Sequence, residues 1–442
     1  MPRGRGVQHR SDSAIRHGLA VKRGFCMHRP TLMPTPMSRR SFLLRASAAG
    51  TTGLMGAWGW KAPAATLVEL PFANGQREIV TNFPQKGAMV LLRTRPPLLE
   101  TAFEVFDHGV FTPNDRFYVR WHLANIPTTI DTGAFRLNVR GHVREQLSLT
   151  LDDLVREFQP FEIAAVNQCS GNSRGFFKPR VPGGEWANGA MGNALWRGAR
   201  LKDVLDRAGV KARALQVRFN GLDTGVIPQT PDFMKSLALD HARDGEVMIA
   251  YAMNGEPLPL LNGFPLRLVV PGWYATYWVK MLNDIEILDK ADDNFWTAKA
   301  YLIPDTPYAN VVPGQQSVRM IPINRMVPRS FFTNVQDGAV LKVGQTTKLR
   351  GIAFGGDAAV AKVFFSSDAG SQWKEARLGP DRGKYGFRRW EVSLRPSSPG
   401  PQRLMIKAQN TAGSVQPNQA NWNGAGFMRN VIESVSVSVQ SV

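Results

Sequence analysis

Prolines and glycines recur along the whole chain, with 30 prolines and 41 glycines in 442 residues. Their spread favours many short strands and loops over a disordered tail. The length is enough for about two domains, at roughly 100–200 residues each. A hydrophobic content of 43% is enough for a sizeable core. The sequence therefore predicts a globular, loop-rich protein.

The positive charge of the chain is concentrated at its N-terminus. Residues 1–64 contain eleven Lys or Arg and one acidic residue, Asp12, a net charge of +10, which leaves +9 of the total of +19 for the rest. A basic surface attracts anionic substrates and acidic partners as well as nucleic acid. The sequence shows no basic–aromatic motif of a nucleic-acid site, so we expect no such partner.

The segment MSRRSFLL, residues 37–44, matches a twin-arginine export signal. The apolar run that follows, from Ala46 to Trp60, is shorter than the roughly 20 residues of a membrane-spanning helix. An amphipathic first helix is the alternative, but the glycines of this run weaken it. We expect an upstream extension at 1–36, a signal peptide at 37–64 and a periplasmic protein without a membrane span. This route carries folded proteins, which hints at a cofactor.

The hydrophobic pattern changes near Val312. Before it, Thr150 with Asp153 predicts the start of a short helix, and Leu201 to Ala208 has helical spacing ended by Gly209. After it, strand-like runs alternate with turn signals, at Thr347–Phe354, Val360–Ser366, Trp390–Leu394, Arg403–Ala408 and Glu433–Val439. The sequence predicts an α+β fold, with a mixed domain at 65–311 and a β-sandwich at 312–442.

Cys169 is the one cysteine after residue 64, since Cys26 lies in the upstream segment. It follows an apolar run of strand length, Phe161–Val166, and begins a polar loop with glycines. Three roles are open to it: buried packing, a nucleophile with a base such as His122, or a thiolate ligand of a transition metal. Arg174, five residues on, would favour the ionised thiol.

The stretches NQCSGNSRGFF, from Asn167, and GGEWANGAMGNALWRGARLKDVL, from Gly183, resemble the molybdopterin-binding core of the sulfite oxidase family. The first is most similar to bacterial sulfite dehydrogenases. The resemblance runs from about Phe72 to the C-terminus and implies a molybdenum–molybdopterin cofactor with Cys169 as a metal ligand. The turn SSDAGSQW, from Ser366, resembles the family's immunoglobulin-like dimerisation domain, which implies a homodimer.

The same resemblance assigns further residues to the catalytic site. FYVRWHLANIP, from Phe117, and FWTAKAYLIPD, from Phe295, match family segments around the metal. The residues implied to bind the substrate or to lie in its pocket are Arg120, Arg174, Tyr301 and Trp186. Those implied to contact the cofactor are His122 and, in VPGWYATYWVKML ending at Leu282, Thr276 and Lys280.

Two departures from the animal enzymes bear on this site. Tyr277 and Trp278 stand where those enzymes carry basic residues near the pterin phosphate, and Gly424-Ala425-Gly426 lacks the arginine that follows a Trp-Asn pair in them. The resemblance therefore implies that fewer cations hold the substrate anion in this chain.

The reaction that the resemblance implies is oxidation of sulfite to sulfate by oxo transfer at molybdenum. The chain has no Cys-x-x-Cys-His haem motif and too few cysteines for an iron–sulfur cluster. A c-type cytochrome or haem subunit is therefore the expected electron acceptor. The alternatives are a sulfane dehydrogenase, a reductase of oxidised methionine, and a cofactor-free binding module, which metal analysis would distinguish.

Overall fold

The computed structural model describes residues 66–72 and 75–441. The predicted export signal lies outside these residues. The strands before residue 325 are β1 (Thr66–Glu69), β2 (Gln76–Val80), β3 (Met89–Arg93), β4 (Leu98–Glu100), β5 (Val119–Arg120), β6 (Leu137–Gly141), β7 (Leu147–Leu149), β8 (Pro160–Gln168), β9 (Met191–Arg200), β10 (Gln216–Gly221), β11 (Lys235–Ala238), β12 (Met248–Met253), β13 (Glu256–Pro257), β14 (Arg267–Val269), β15 (Leu282–Leu288), β16 (Leu302–Pro304) and β17 (Met320–Pro322).

Helices are short throughout the described residues. The α-helices are α1 (Val105–His108), α2 (Leu151–Arg156), α3 (Leu201–Ala208) and α4 (Leu239–Ala242). Single 3-10 turns lie at Asn114–Arg116, Arg174–Phe176, Leu260–Asn262, Ala275–Tyr277 and Pro307–Ala309, and a π-helical turn lies at Trp296–Ala300. The expected mixed α+β fold is thus confirmed only in part, because the chain is mostly sheet. No helix in the described part of the chain is long and apolar enough to cross a membrane.

Both predicted helix signals are confirmed. At the start of α2, Thr150 Oγ1 accepts a hydrogen bond from the Asp153 amide, and the Asp153 carboxylate accepts one from the Thr150 amide, which completes a capping box. Helix α3 buries Leu201, Val204, Leu205 and Ala208 on one face. It ends at Gly209, whose φ of 67° is left-handed and therefore suits glycine.

The strands before residue 325 form three larger sheets and a two-stranded sheet, β16-β17. The strand orders of the three larger sheets are β1-β2-β3-β4-β5, β11-β10-β15-β6-β7 and β13-β12-β9-β8, with β14 also paired to β12. The third sheet carries Cys169 immediately after β8, and the first carries Arg120 at the end of β5. The buried ends of strands from different sheets thus place the candidate residues near one another.

Two sheets face each other in the C-terminal part. The strands are β18 (Arg329–Phe332), β19 (Val340–Lys342), β20 (Thr347–Phe354), β21 (Val360–Ser366), β22 (Lys374–Glu375), β23 (Arg377–Leu378), β24 (Arg388–Leu394), β25 (Gly400–Asn410) and β26 (Glu433–Gln440). The sheet orders are β18-β20-β24-β23 and β19-β26-β25-β21-β22, and the side chains between them form one buried cluster. All five strand-like runs that the sequence predicts are strands, in a two-layer sandwich.

The two parts share a hydrophobic core. Phe331, Phe354, Phe387 and Phe427 belong to the same buried cluster as the strands around Cys169. The Val166 amide also donates a hydrogen bond of 2.8 Å to the carbonyl of Tyr385. The C-terminal sandwich therefore packs directly against the cysteine-bearing sheet.

Candidate active site

Cys169 lines a cavity that is called the inner cavity below. Its other polar or charged lining residues are Tyr118, Arg120, His122, Ser170, Asn262, Arg267, Thr276, Lys280 and Tyr301. The Cys169 side chain is buried and has no disulfide partner in the described chain. Strand pairing positions it, because the Cys169 amide donates to the carbonyl of Ala190, 2.9 Å away, at the end of the β8–β9 ladder.

A second, more open cavity, called the outer cleft, adjoins this site. Its arginines are Arg77, Arg93, Arg120 and Arg174, and its aromatic walls are Trp186, Trp296, Tyr301 and Phe427. Arg120 and Tyr301 line both cavities. These two residues therefore stand between the buried cysteine site and the open cleft.

The arginines of the outer cleft carry a surplus of positive charge. Arg77 lies 3.9 Å from Glu100, but Arg93, Arg120 and Arg174 form no salt bridge with any of the described residues. The Nη1 atom of Arg120 is buried and has no hydrogen-bond partner among residues 66–72 and 75–441. Unpaired guanidinium groups that face a cleft suit an anionic ligand.

His122 and Tyr301 contact each other across the inner cavity. The His122 Nε2 atom lies 2.5 Å from the Tyr301 hydroxyl, and the imidazole stacks on Phe233 at 3.7 Å between ring centres. Burial, with Arg120 as a further cause, holds the pKa of His122 well below its ordinary value. Burial also raises the pKa of Tyr301. At neutral pH both groups are uncharged, so this contact joins a neutral imidazole to a phenol.

Arg174 lies in the outer cleft and is fixed by main-chain carbonyls. Its guanidinium donates to the carbonyls of Gly184, Ala425 and Gly426 at 3.2–3.3 Å, and it lies over the ring of Phe427. The carbonyls of Ala425 and Gly426 thus help to orient the Arg174 side chain. Trp186, also in the outer cleft, is 1% exposed.

Thr276 and Lys280 both line the inner cavity, as expected for cofactor contacts. The Thr276 hydroxyl is buried without a hydrogen-bond partner in the described part of the chain. Lys280 Nζ lies 4.3 Å above the ring of Trp121, and burial, then the charge of Arg267, lowers its pKa to about 7. Both side chains are placed to meet a polar group inside the cavity.

Sequence reasoning missed Arg267, which is fully buried in the inner cavity. It donates to the carbonyl of Asn262 at 2.9 Å and to Asn167 Oδ1 at 3.2 Å, while its Nε has no partner among the residues that the structure describes. Burial lowers its pKa to about 10. An arginine inside the apolar run from Leu266 to Val270 was a usable signal, because a charge is rarely buried without a function or a partner.

The lining of the inner cavity suits a polar cofactor that carries a metal. Five of its buried polar atoms have no partner within the described residues: Arg120 Nη1, His122 Nδ1, Ser170 Oγ, Arg267 Nε and Thr276 Oγ1. Buried polar atoms are normally hydrogen-bonded, so these atoms point to a bound group with many donors and acceptors. The Cys169 sulfur adds a soft ligand suited to a transition metal.

Comparisons with known proteins identify the two parts of the chain. Residues 123–296 match the family model of the oxidoreductase molybdopterin binding domain, and residues 320–440 match that of the Mo-co oxidoreductase dimerisation domain. In structure, the chain is similar to the sulfane dehydrogenase SoxCD from Paracoccus pantotrophus, with a TM-score of 0.66 over 91% of this chain and 98% of that one. At 21% sequence identity this likeness shows the fold alone.

Among curated relatives, the chain is 35% identical to mitochondrial sulfite oxidase of Mus musculus, over 78% of this chain and 64% of that protein. It therefore spans less than two thirds of the mouse protein. It is 31% identical to sulfite oxidase of Gallus gallus, over 83% of this chain and 80% of that protein. The chain belongs to the sulfite oxidase family of molybdopterin oxidoreductases, and its cofactor is molybdenum bound to molybdopterin.

Proposed function

We propose that this protein oxidises sulfite to sulfate and passes the electrons to a c-type cytochrome. One observation carries the proposal: Arg120 and Tyr301 line both the cavity of Cys169 and a cleft whose arginines have a surplus of positive charge. A small anion that enters this cleft meets both residues before it reaches the cysteine site. The sulfite oxidases among its relatives support the same chemistry.

The cofactor supplies the oxo group and accepts the electron pair, and Cys169, His122, Thr276, Lys280 and Arg267 would hold it. The protein residues bind and orient the substrate. Charge-assisted hydrogen bonds from Arg120 and Arg174 bind the oxyanion, and they stabilise the charge that is redistributed during the reaction.

Tyr301 has a supporting role in this mechanism. Because its pKa is raised, the phenol keeps its proton and can donate a hydrogen bond at the boundary of the two cavities. The neutral His122 fixes the position of the hydroxyl. The aromatic walls Trp186 and Phe427 limit the water around the bound anion.

We further propose export by the twin-arginine route to the periplasm, a mature start near Ala65, and a homodimer formed through an immunoglobulin-like C-terminal domain. The Met37–Leu44 motif supports the export, the small residues Ala62-Pro63-Ala64 support the cleavage site, and the matched dimerisation domain supports the homodimer. Sedimentation of the purified protein tests the dimer, which requires about twice the 48.9 kDa mass of the chain, less any cleaved signal.

The decisive experiment is an assay of the purified, molybdenum-quantified protein with cytochrome c as acceptor. We expect sulfite to reduce cytochrome c at a rate proportional to the molybdenum content. Thiosulfate, a sulfane compound, is the parallel substrate and should give little turnover. A molybdenum-loaded protein that oxidises thiosulfate but not sulfite would favour the sulfane dehydrogenase alternative, and inactivity with both would contradict the proposal.

A further inference from the structure

The cysteine loop, residues 169–176, is held along its length by residues close to the C-terminus. The Met428 amide donates to the carbonyl of Ser170 at 3.0 Å. The carbonyls of Ala425 and Gly426 accept from the guanidinium of Arg174. The guanidinium of Arg429 lies 4.9 Å above the ring of Phe176. The C-terminal part thus contacts the loop that contains both Cys169 and Arg174.

Arg329 makes the most deeply buried of these contacts. It begins β18 in the C-terminal sandwich, and its side chain is 0% exposed. Its Nη1 donates to Ser173 Oγ at 2.9 Å, and its Nη2 lies 2.5 Å from a carboxylate oxygen of Glu433. One planar guanidinium therefore joins the cysteine loop to the last strand, β26.

Ser173 is a position that needs such support. Its φ of 67° lies in the left-handed region, which costs a non-glycine residue conformational energy. Its hydroxyl accepts a hydrogen bond from Arg329 and donates one to Asn188 Oδ1 at 2.6 Å, so it acts as both acceptor and donor. The surrounding contacts hold the loop in this conformation, immediately before Arg174.

We propose that Arg329 is a positioning residue for the reaction, and that through Ser173 it fixes the cysteine loop so that Cys169 and Arg174 keep their places in the two cavities. The C-terminal part is then a component of the active site as well as a dimerisation domain. The kinetic part of this inference rests on the proposed sulfite oxidation, whereas its structural part does not.

The test compares Arg329→Gln and Arg329→Lys with a matched control, Arg350→Gln, all as cofactor-loaded full chains. Arg350 also joins the two parts, because its guanidinium pairs with Asp107 of α1 at 2.5 Å, but it does not contact the cysteine loop. Hydrogen–deuterium exchange of the 169–176 peptide measures the order of the loop.

We expect Arg329→Gln to raise amide exchange in 169–176 about fivefold or more, and to lower kcat/KM for sulfite by roughly tenfold with a raised KM. Arg329→Lys should lie between this variant and wild type, because an ammonium group lacks the fork that reaches two partners. Arg350→Gln should leave both measurements near wild type. A purely structural role would lower the active fraction and kcat but leave KM and loop exchange unchanged.

Ser173→Ala keeps the Arg329–Glu433 pair and removes only the contact with the loop. It is therefore the variant to test if Arg329→Gln does not fold. It should also raise exchange in 169–176. Unchanged loop exchange in Ser173→Ala and in any folded Arg329 variant overturns the inference. If the wild-type protein does not oxidise sulfite, the proposed function fails, but the exchange measurement still decides the positioning role.

Discussion

The Nζ atom of Lys280 donates a hydrogen bond of 2.9 Å to the main-chain carbonyl of Arg120. This contact fixes the backbone of Arg120 at the end of β5, between the inner cavity and the outer cleft. The side chain of Arg120 keeps Nη1 buried without a partner among the described residues. The backbone of Arg120 is therefore fixed, and its guanidinium is available to bind an anion.

From this geometry, Arg120→Gln should lower kcat/KM for sulfite by roughly 10- to 150-fold, since a charge-assisted hydrogen bond is worth about 1.5–3 kcal/mol. Arg120→Lys restores the charge without the planar fork, so its kcat/KM should lie between those of wild type and Arg120→Gln. Steady-state kinetics at matched molybdenum content measure this. Wild-type kcat/KM in Arg120→Gln would mean that Arg174 or another group holds the anion.

Cys169→Ser should abolish sulfite oxidation and leave the protein folded. The hydroxyl is a poor substitute for a thiolate as a ligand of a soft metal, whereas the two side chains are of similar size. Circular dichroism and a thermal melt check the fold, and cytochrome c reduction checks the activity. Near-normal turnover would show that Cys169 is not a metal ligand.

Arg93 lines the outer cleft, forms no salt bridge with the described residues, and has a pKa lowered by burial and then by Arg120. We expect Arg93→Gln to lower kcat/KM about two- to tenfold at low ionic strength, because cations at the mouth of a cleft raise the capture rate of anions. The difference should disappear at about 1 M salt, where the Debye length is about 3 Å.

Arg95→Gln is the matched control for Arg93. Arg95 lies two residues from Arg93, and both side chains are largely exposed. Arg95 donates to the carbonyl of Ala124 and to Asn125, and it does not line the cleft. An equal, salt-dependent loss in both variants would assign the effect to the general charge of the surface.

Glu100 is buried and accepts hydrogen bonds from the amides of Gly189 and Ala187, at 2.7 and 3.1 Å. Burial raises its pKa from 4.5 to about 7, so between these values the folded protein keeps a proton that the unfolded chain has released. The stability from this group is therefore present below pH 4.5 and is lost as the pH rises through about 7.

Glu100→Gln stays neutral at every pH. Its one carboxamide oxygen can accept one of the two amide hydrogen bonds, and the loss of the other does not depend on pH. Relative to this variant, wild type should lose on the order of 1–3 kcal/mol of unfolding free energy between pH 5 and pH 8. Urea unfolding of both proteins at several pH values measures the difference. Parallel pH profiles would show that Glu100 ionises at its ordinary pKa.

The proposed twin-arginine export predicts that Arg39→Lys together with Arg40→Lys leaves the precursor in the cytoplasm, because the paired arginines are the recognised part of such a signal. Cell fractionation followed by immunoblotting measures the distribution. Full periplasmic activity of the double variant would show that another export route is used.

The sequence alone determined the short-range features of this protein. The capping box of α2, the C-terminus of α3 at Gly209 and the strands from Thr347 onward depend on neighbouring residues, and all agree with the structure. The cysteine loop was also recognisable, because its residues are contiguous. The family resemblance that rests on such stretches is confirmed by the matched domains.

The tertiary structure decided which distant residues meet. Arg93 and Arg174 line one cleft although 81 positions separate them, and Arg329 contacts Ser173 across 156 positions. Residue type and spacing do not predict such contacts, because the contacts form only when the sheets pack and bury their strand ends together. The division into an inner cavity and an outer cleft, with Arg120 and Tyr301 between them, is a property of that packing.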